Sequence, residues 1–120
     1  MNLGKIEGVH KRKVLLTWEA IYDVIEITDY LESNFGKARA DQFQEDIKMQ
    51  MRKLEYMGGI FGMTYILYRN HTIYKKPFPP SIIFYIIKEP ANEIHVLRVL
   101  REERDWSTIL IQNQKYTYPD

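Results

Sequence analysis

Two amphipathic helical patterns that meet at one glycine constrain this chain more than any other feature. The first has an apolar residue at every third or fourth position, as one face of a helix requires: Ala20, Val24, Ile27, Leu31 and Phe35. The second continues that spacing through Ala40, Phe43, Ile47, Met51 and Leu54. Gly36 lies between them and can adopt the left-handed backbone conformation that ends a helix. Two long helices joined this closely run roughly antiparallel, so the sequence predicts an αα-hairpin.

The hydrophobic period changes from that of a helix to that of a strand after Gly58 and Gly59. Strands are predicted over residues 72–76, 81–88 and 94–101, and a short strand over residues 13–18 precedes the hairpin. Residues 63–68 match neither period clearly. The stretch 81–88, SIIFYIIK, is apolar on both alternating faces, which is typical of a central strand covered on both sides. Asp105 is suitably placed to cap a short final helix that carries Trp106 and Leu110.

The order of elements is therefore β-α-α-β-β-β with a short C-terminal helix. This order indicates an α+β fold, in which the helical hairpin packs on one face of a small, mainly antiparallel sheet. At 120 residues the chain is long enough for one hydrophobic core. We expect a single domain over residues 1–120 with its core at about residues 13–111. The extension 1–12 and the tail 112–120 are expected to be loosely held.

Charge is nearly balanced over the whole chain but unevenly distributed along it. There are 17 basic and 16 acidic residues, whereas a protein that binds nucleic acid through phosphate contacts alone is usually far more basic. Residues 67–80 contain Arg69, Lys75 and Lys76 and no acid, while the acids concentrate between Glu19 and Glu55. We therefore expect a locally basic face, without sequence-specific binding of nucleic acid by this chain alone.

Several classes of protein are disfavoured by what the sequence lacks. It has no cysteine, so it forms no disulfide and no thiolate zinc site. No apolar run reaches the roughly 18–20 residues that span a bilayer, and residues 1–5 do not resemble a secretory signal. A Gly-rich phosphate loop, a nucleophile elbow and a His-x-x-x-His spacing are also missing. We expect a cytoplasmic protein that has no metal, no cofactor and no membrane partner.

Arg98, Arg101 and Arg104 lie on and just beyond the last predicted strand. By alternation Arg98 shares a face with Ile94, Val96 and Leu100, so its alkyl stem should be buried and its guanidinium should need a carboxylate. One interpretation is a structural ion pair with an acid such as Glu103 or Asp105. The other gathers the basic residues around a surface that accepts anions: Arg98, Arg101, Arg104, Arg69, Lys75 and Lys76. His95 alternates with apolar neighbours, which favours a structural histidine over a general base.

Several local signatures, taken with the element order, resemble one known superfamily. They are Trp18 followed by Ala20 and Asp23, Tyr30-Leu31, the FPPSIIFYII of residues 78–87 and the IHVLRVLREERDW of residues 94–106. Phe43, Ile47 and Leu54 on the second helix also fit. From about Val14 to Leu110 the chain resembles the RelE/ParE toxins of bacterial type II toxin–antitoxin systems, and within them the ParE, or plasmid-stabilisation, branch.

This resemblance implies a toxin that is neutralised by an antitoxin encoded beside it. ParE-like members act on DNA gyrase without hydrolysing anything, whereas RelE-like members are ribosome-dependent mRNA endonucleases that often carry a tyrosine or histidine shortly after the last strand. Residues 105–109 contain neither, and Tyr116 and Tyr118 lie further along the tail. A gyrase inhibitor, and not an enzyme, is therefore the favoured interpretation. The alternatives are an mRNA endonuclease and a degenerate toxin that only binds antitoxin.

These interpretations assign different roles to the same residues. Contacts with antitoxin or target are expected at Arg101, Arg104, Arg69, Lys75, Lys76 and Tyr74. If the chain cleaves RNA, the catalytic residues are Arg69, Lys75, Lys76 and Arg98. Structural roles are expected for Arg98, Asp105, Trp106 and Trp18.

Overall fold

The computed structural model describes residues 11–120, so the N-terminal extension predicted over residues 1–12 lies almost entirely outside the described residues. These described residues form eight principal elements: β1 (Lys13–Leu16), α1 (Trp18–Phe35), α2 (Lys37–Met57), β2 (Gly62–Tyr68), β3 (His71–Phe78), β4 (Ser81–Lys88), β5 (Glu93–Arg101) and α3 (Trp106–Gln112). The α+β class is confirmed, and residues 63–68, which the sequence left ambiguous, belong to an additional strand. None of the helices in the described part of the chain is long and apolar enough to cross a membrane.

The five strands form one sheet in the order β1-β5-β4-β3-β2. The pairing of β1 with β5 is parallel, and the other three pairings are antiparallel. A parallel pair needs a crossover connection, and here α1, α2 and three strands lie between its members. The edges of the sheet are β1 and β2, so the predicted strand Thr72 to Lys76, which belongs to β3, lies inside the sheet between β2 and β4.

Two residues at the boundaries of α1, Thr17 and Gly36, fix the path of the hairpin. The Thr17 hydroxyl accepts a hydrogen bond from the amide of Ala20 and donates one, 2.8 Å long, to the carbonyl of Leu97. It therefore caps the helix and ties its first turn to β5. Gly36 has φ of +93° between α1 and α2, a conformation that side chains disfavour.

The sheet is covered on both faces, and β4 contributes to both cores. Ile83 and Tyr85 face the helical hairpin, where they pack with Ile27, Leu31, Phe43 and Leu54. Phe84 and Ile86 face the opposite side, where they pack with Leu97, Leu110 and Tyr116. The prediction of a central strand covered on both sides is confirmed.

The tail corrects one expectation from the sequence. Residues 112–120 were expected to be loosely held, but Tyr116 is 5% exposed and closes the second core. The amide of Trp18 donates to the carbonyl of Thr117 at 2.8 Å, and the amide of Thr117 donates to Glu19 at 2.9 Å. The tail therefore crosses the sheet and is held at the first turn of α1.

Candidate functional site

Arg98 is bound by a carboxylate that sequence reasoning did not select. Its Nε and Nη2 atoms donate to the two carboxylate oxygens of Asp23 at 2.7 and 2.8 Å. The expected partners, Glu103 and Asp105, are therefore corrected to Asp23. The hydrogen bonds with Asp23 raise the pKa of Arg98, whereas burial raises the pKa of Asp23 against the opposing effect of Arg98. Asp23 lies between Ala20 and Ile27 on the apolar face of α1. An acidic residue on that face is the sequence feature that could have identified the partner of Arg98.

A bulge in β5 changes the face on which Arg98 lies. Phe84 pairs with Arg98 while the next residue, Tyr85, pairs with Val96, so Leu97 is an extra residue on β5. Beyond the bulge the alternation is inverted. Arg98 therefore lies on the face of Phe84, away from the hairpin, and not with Ile94 and Val96 as period-two counting predicted.

The four residues of the ribonuclease alternative do not converge. Lys75 and Lys76 lie on opposite faces of β3: the Lys75 amine is 5.3 Å from the Trp106 ring centroid, while Lys76 is buried and donates to Gln50 on α2. Burial lowers the pKa of Lys76, and the nearby Lys53 lowers it further. Arg69 lies in the turn between β2 and β3, and Arg98 is held by Asp23.

Other predicted residues take part in packing. Tyr74 stacks on Tyr85 with 5.6 Å between ring centroids, on the face of the helical hairpin. Asp105 caps α3, because its carboxylate accepts from the amide and hydroxyl of Thr108. Trp106 packs on Phe84 at 5.3 Å. Trp18 lies at the surface and not in the core: it is 39% exposed and stacks on Tyr22 with 5.8 Å between ring centroids.

Arg101 and Arg104 lie together at the surface beside the second half of α1. The guanidinium carbon of Arg101 is 3.9 Å from the Tyr30 ring centroid, and the same side chain pairs with Glu103. Arg104 reaches Glu26 at 4.0 Å. These residues, with the exposed Phe35, line two adjoining cavities of about 140 and 250 Å³. We name Glu26, Tyr30, Phe35, Arg101 and Arg104 the arginine surface.

An apolar groove lies on the other side of the hairpin. It is a cavity of about 200 Å³ whose lining is aliphatic except for Lys48: Leu16, Ile21, Val24, Ile25, Ile47 and Met51. Leu16 and Ile21 also line a larger depression that runs along β1. The outer edge of β1 has no strand beside it among residues 11–120. We name the seven residues that line the cavity of about 200 Å³ the apolar groove. This groove is an uncovered hydrophobic surface next to the unpaired backbone of β1.

No metal site is formed by the described part of the chain, where no three histidine or acidic side chains come together in a suitable arrangement. His95 is buried, and both of its ring nitrogens have partners: Nδ1 lies 2.8 Å from the Tyr118 hydroxyl and Nε2 lies 3.0 Å from Glu93. The hydrogen bond with His95 lowers the pKa of Glu93. His95 is thus held within the protein by two side chains.

Comparisons with known proteins agree with this architecture. A family model described as the ParE toxin of the type II toxin–antitoxin system parDE matches residues 14–106. No curated protein matches the chain by sequence. One similar solved structure, described as the chromosomal ParDE toxin–antitoxin system from P. aeruginosa, has a TM-score of 0.64 at 20% identity and covers 78% of this chain and 98% of its own. At that identity the likeness supports the fold, while the family model spans most of the sequence. The chain belongs to the ParE toxin family of type II toxin–antitoxin systems.

Proposed function

We propose that this protein is a toxin that inhibits DNA gyrase by direct contact in the bacterial cytoplasm and that a cognate antitoxin neutralises it. Family membership supports the toxin role, and the P. aeruginosa structure, described as a ParDE toxin–antitoxin system, supports an antitoxin partner. The gyrase target rests on the resemblance to the ParE branch. The observation that carries the antitoxin part is the apolar groove beside the unpaired edge of β1.

The groove suits a segment that folds as it binds. An amphipathic helix can place its apolar face along Val24, Ile25 and Met51, and an extended segment can pair with β1. Both modes bury apolar surface or satisfy backbone groups that water otherwise solvates. The antitoxin is therefore expected to contribute a helix, a strand or both to this side of the toxin.

Substitution of Ile25 tests the antitoxin interface. Ile25 is 51% exposed and lines the groove, and Met49, which is 48% exposed, lies on α2 outside it. Ile25→Asp places a carboxylate in the interface and should weaken the complex with the neighbouring gene product by roughly a hundredfold or more. Met49→Asp is the control and should bind as the wild type does. Equal affinity of the two variants would place the antitoxin elsewhere.

The arginine surface is our candidate for contact with gyrase. Arginine and aromatic side chains dominate binding energy at protein interfaces, and here Arg101 and Tyr30 are pre-stacked beside the exposed Phe35. Because the surface shares no residue with the apolar groove, target and antitoxin contacts can be altered separately.

A supercoiling assay tests this part of the proposal. Purified protein is titrated into DNA gyrase with ATP and relaxed plasmid, and total RNA from expressing cells is checked for cleavage. Wild type should block supercoiling or accumulate cleaved DNA while messages stay intact. Arg101→Glu should weaken inhibition about tenfold or more, and Arg52→Glu on the exposed face of α2 should not. Full supercoiling with cleaved messages would instead support the endonuclease. Full supercoiling with intact messages would support the degenerate toxin.

A further inference from the structure

A further cavity, of about 220 Å³, lies on the sheet face opposite the helical hairpin. Arg69 contributes from the β2–β3 turn, His71 from the start of β3, and Lys88 from the end of β4. The rest of the lining is Tyr68, Ile86, His95, Tyr116 and Tyr118. We name this cavity the tyrosine pocket. It shares no residue with the arginine surface or the apolar groove.

The charge of the pocket is positive and only partly compensated. Its lining includes Arg69, Lys88 and His71 and no carboxylate. Within residues 11–120 neither Arg69 nor Lys88 forms an ion pair. Glu93 lies opposite Lys88 on β5, but its carboxylate is engaged by His95. Two cations that line one cavity and have no ion-pair partner among residues 11–120 are suited to an anion that presents several oxygens.

The conformation of Arg69 is a second, independent observation. Arg69 and Asn70 are the two central residues of the β2–β3 hairpin turn, with φ of +47° and +68°. Asparagine and glycine suit such positions, whereas arginine adopts them at a conformational cost. The Arg69 guanidinium lies 5.3 Å from the Tyr68 ring centroid, and both residues line the pocket. A strained arginine held beside a cavity is the pattern of a binding residue.

The aromatic residues of the pocket indicate which kind of group is attached to the anion. Tyr68 and Tyr116 meet edge to face with 4.9 Å between ring centroids, and the amide of Tyr116 donates to the Tyr68 hydroxyl oxygen at 3.1 Å. Tyr118 is fixed by its contact with His95. Tyr68 and Tyr116 are buried, whereas Tyr118 is 37% exposed, so the ring surface available beside the cations is that of Tyr118. An aromatic surface next to cations favours a planar organic group attached to the anion.

We propose that the tyrosine pocket binds a small phosphate-bearing anion of the size of a mononucleotide. Arg69 and Lys88 bind the phosphate oxygens, and the Tyr118 ring flanks the organic part. At about 220 Å³ the cavity can enclose one such group and not a longer strand, so a free small anion is the proposed ligand.

Isothermal titration calorimetry with the full chain tests this site, using uridine monophosphate, inorganic phosphate and a single-stranded oligonucleotide as separate titrants. Saturable binding of the mononucleotide below about 1 mM is expected. Arg69→Asn should weaken it about tenfold, as loss of one charge-assisted contact requires, and Lys88→Gln should act similarly. Arg52→Asn is the matched control and should bind normally.

The variant Arg69→Asn should fold normally, because asparagine is favoured at positive φ. The substitution should preserve or raise the unfolding temperature. Inorganic phosphate binding as tightly as the nucleotide also supports the site and assigns recognition to the phosphate alone. Absence of saturable binding by either small anion would overturn the proposal. So would unchanged affinity in Arg69→Asn, or an oligonucleotide that binds far more tightly than the mononucleotide.

Discussion

Asp23 on α1 holds Arg98 on β5, and the same carboxylate accepts the backbone amide of Val99 at 3.0 Å. The position of this contact follows from the length of β1. That strand ends at Leu16, which pairs with Val96, so the edge of β5 beyond Val96 has no strand beside it. One carboxylate therefore satisfies both a half-buried cation and a backbone donor at the end of a short parallel strand.

Removal of this carboxylate should be costly. Asp23→Ala leaves the Arg98 guanidinium and the Val99 amide without their acceptor, and we expect the free energy of unfolding to fall by about 3 kcal/mol. Urea unfolding followed by far-UV circular dichroism measures the change. Asp29→Ala, an exposed acid on the same helix, should cost less than about 0.5 kcal/mol. A loss below about 1 kcal/mol in Asp23→Ala would contradict a stabilising role for the pair.

Gly58 is required by a close approach and not by its backbone conformation. Its φ is −59°, but a Cβ atom there would overlap Cδ1 of the buried Ile94. Gly58→Ala should therefore destabilise the protein by about 1–3 kcal/mol through overpacking. Ile94→Val deletes the clashing atom, so the double variant should be more stable than the sum of the two single changes predicts.

Gly59→Ala provides the control for that cycle, since a Cβ atom at Gly59 meets nothing within 4 Å. Thermal and urea unfolding of the wild type, the two single variants and the double variant measures the coupling between Gly58→Ala and Ile94→Val. Strict additivity of Gly58→Ala and Ile94→Val would mean that the clash is relieved by another movement of the chain.

Attachment of the tail should depend on pH through Glu19. Burial raises the pKa of Glu19, but the two hydrogen bonds from Thr117 outweigh it, and the pKa lies below its ordinary value. A carboxylate with a depressed pKa stabilises the folded state above its unfolded pKa, and this contribution is lost as the pH falls through the folded pKa. Exchange protection of the Thr117 amide should therefore decrease as the solution is acidified through that range.

The variant Glu19→Gln removes the titrating group and should flatten this pH dependence, which amide hydrogen exchange read by NMR can detect. Glu32→Gln, an exposed residue of the same helix, should retain it. If wild type and Glu19→Gln lose protection in parallel, another group controls the tail.

Replacing either of the two neighbouring lysines on β3 by methionine should cost little stability, for different reasons. Lys76→Met removes a buried amine whose charge is disfavoured there, so the lost contact with Gln50 is offset and stability should change by less than about 1 kcal/mol. Lys75→Met should lose about 0.5–1 kcal/mol from its interaction with the Trp106 ring. Urea unfolding compares the two variants, and a large loss in Lys76→Met would show that its amine is strongly stabilising.

Local periodicity was sufficient for the hairpin and for β4 because each obeys one period throughout. It failed at Arg98, since the extra residue Leu97 inverts the alternation and single-strand counting cannot detect an insertion defined by the partner strand. Asp23 lies 75 residues from Arg98, and an acid on an apolar helix face does not identify its partner. The buried position of the tail could not be predicted either, because Tyr116 packs against Tyr68 and Leu97, which lie on strands distant in the sequence.

The parallel pairing of β1 with β5 has a consequence for how the chain is made. The hairpin leaves the ribosome long before β5 does, and its two helices are joined only by Gly36 and pack on each other, so it can form early. Its sheet-facing side, with Phe43 and Leu54, then remains uncovered until β4 and β5 follow. During that interval the nascent toxin exposes more apolar surface than the complete toxin does. A partner that binds during synthesis would therefore contact side chains that are buried once the toxin has folded.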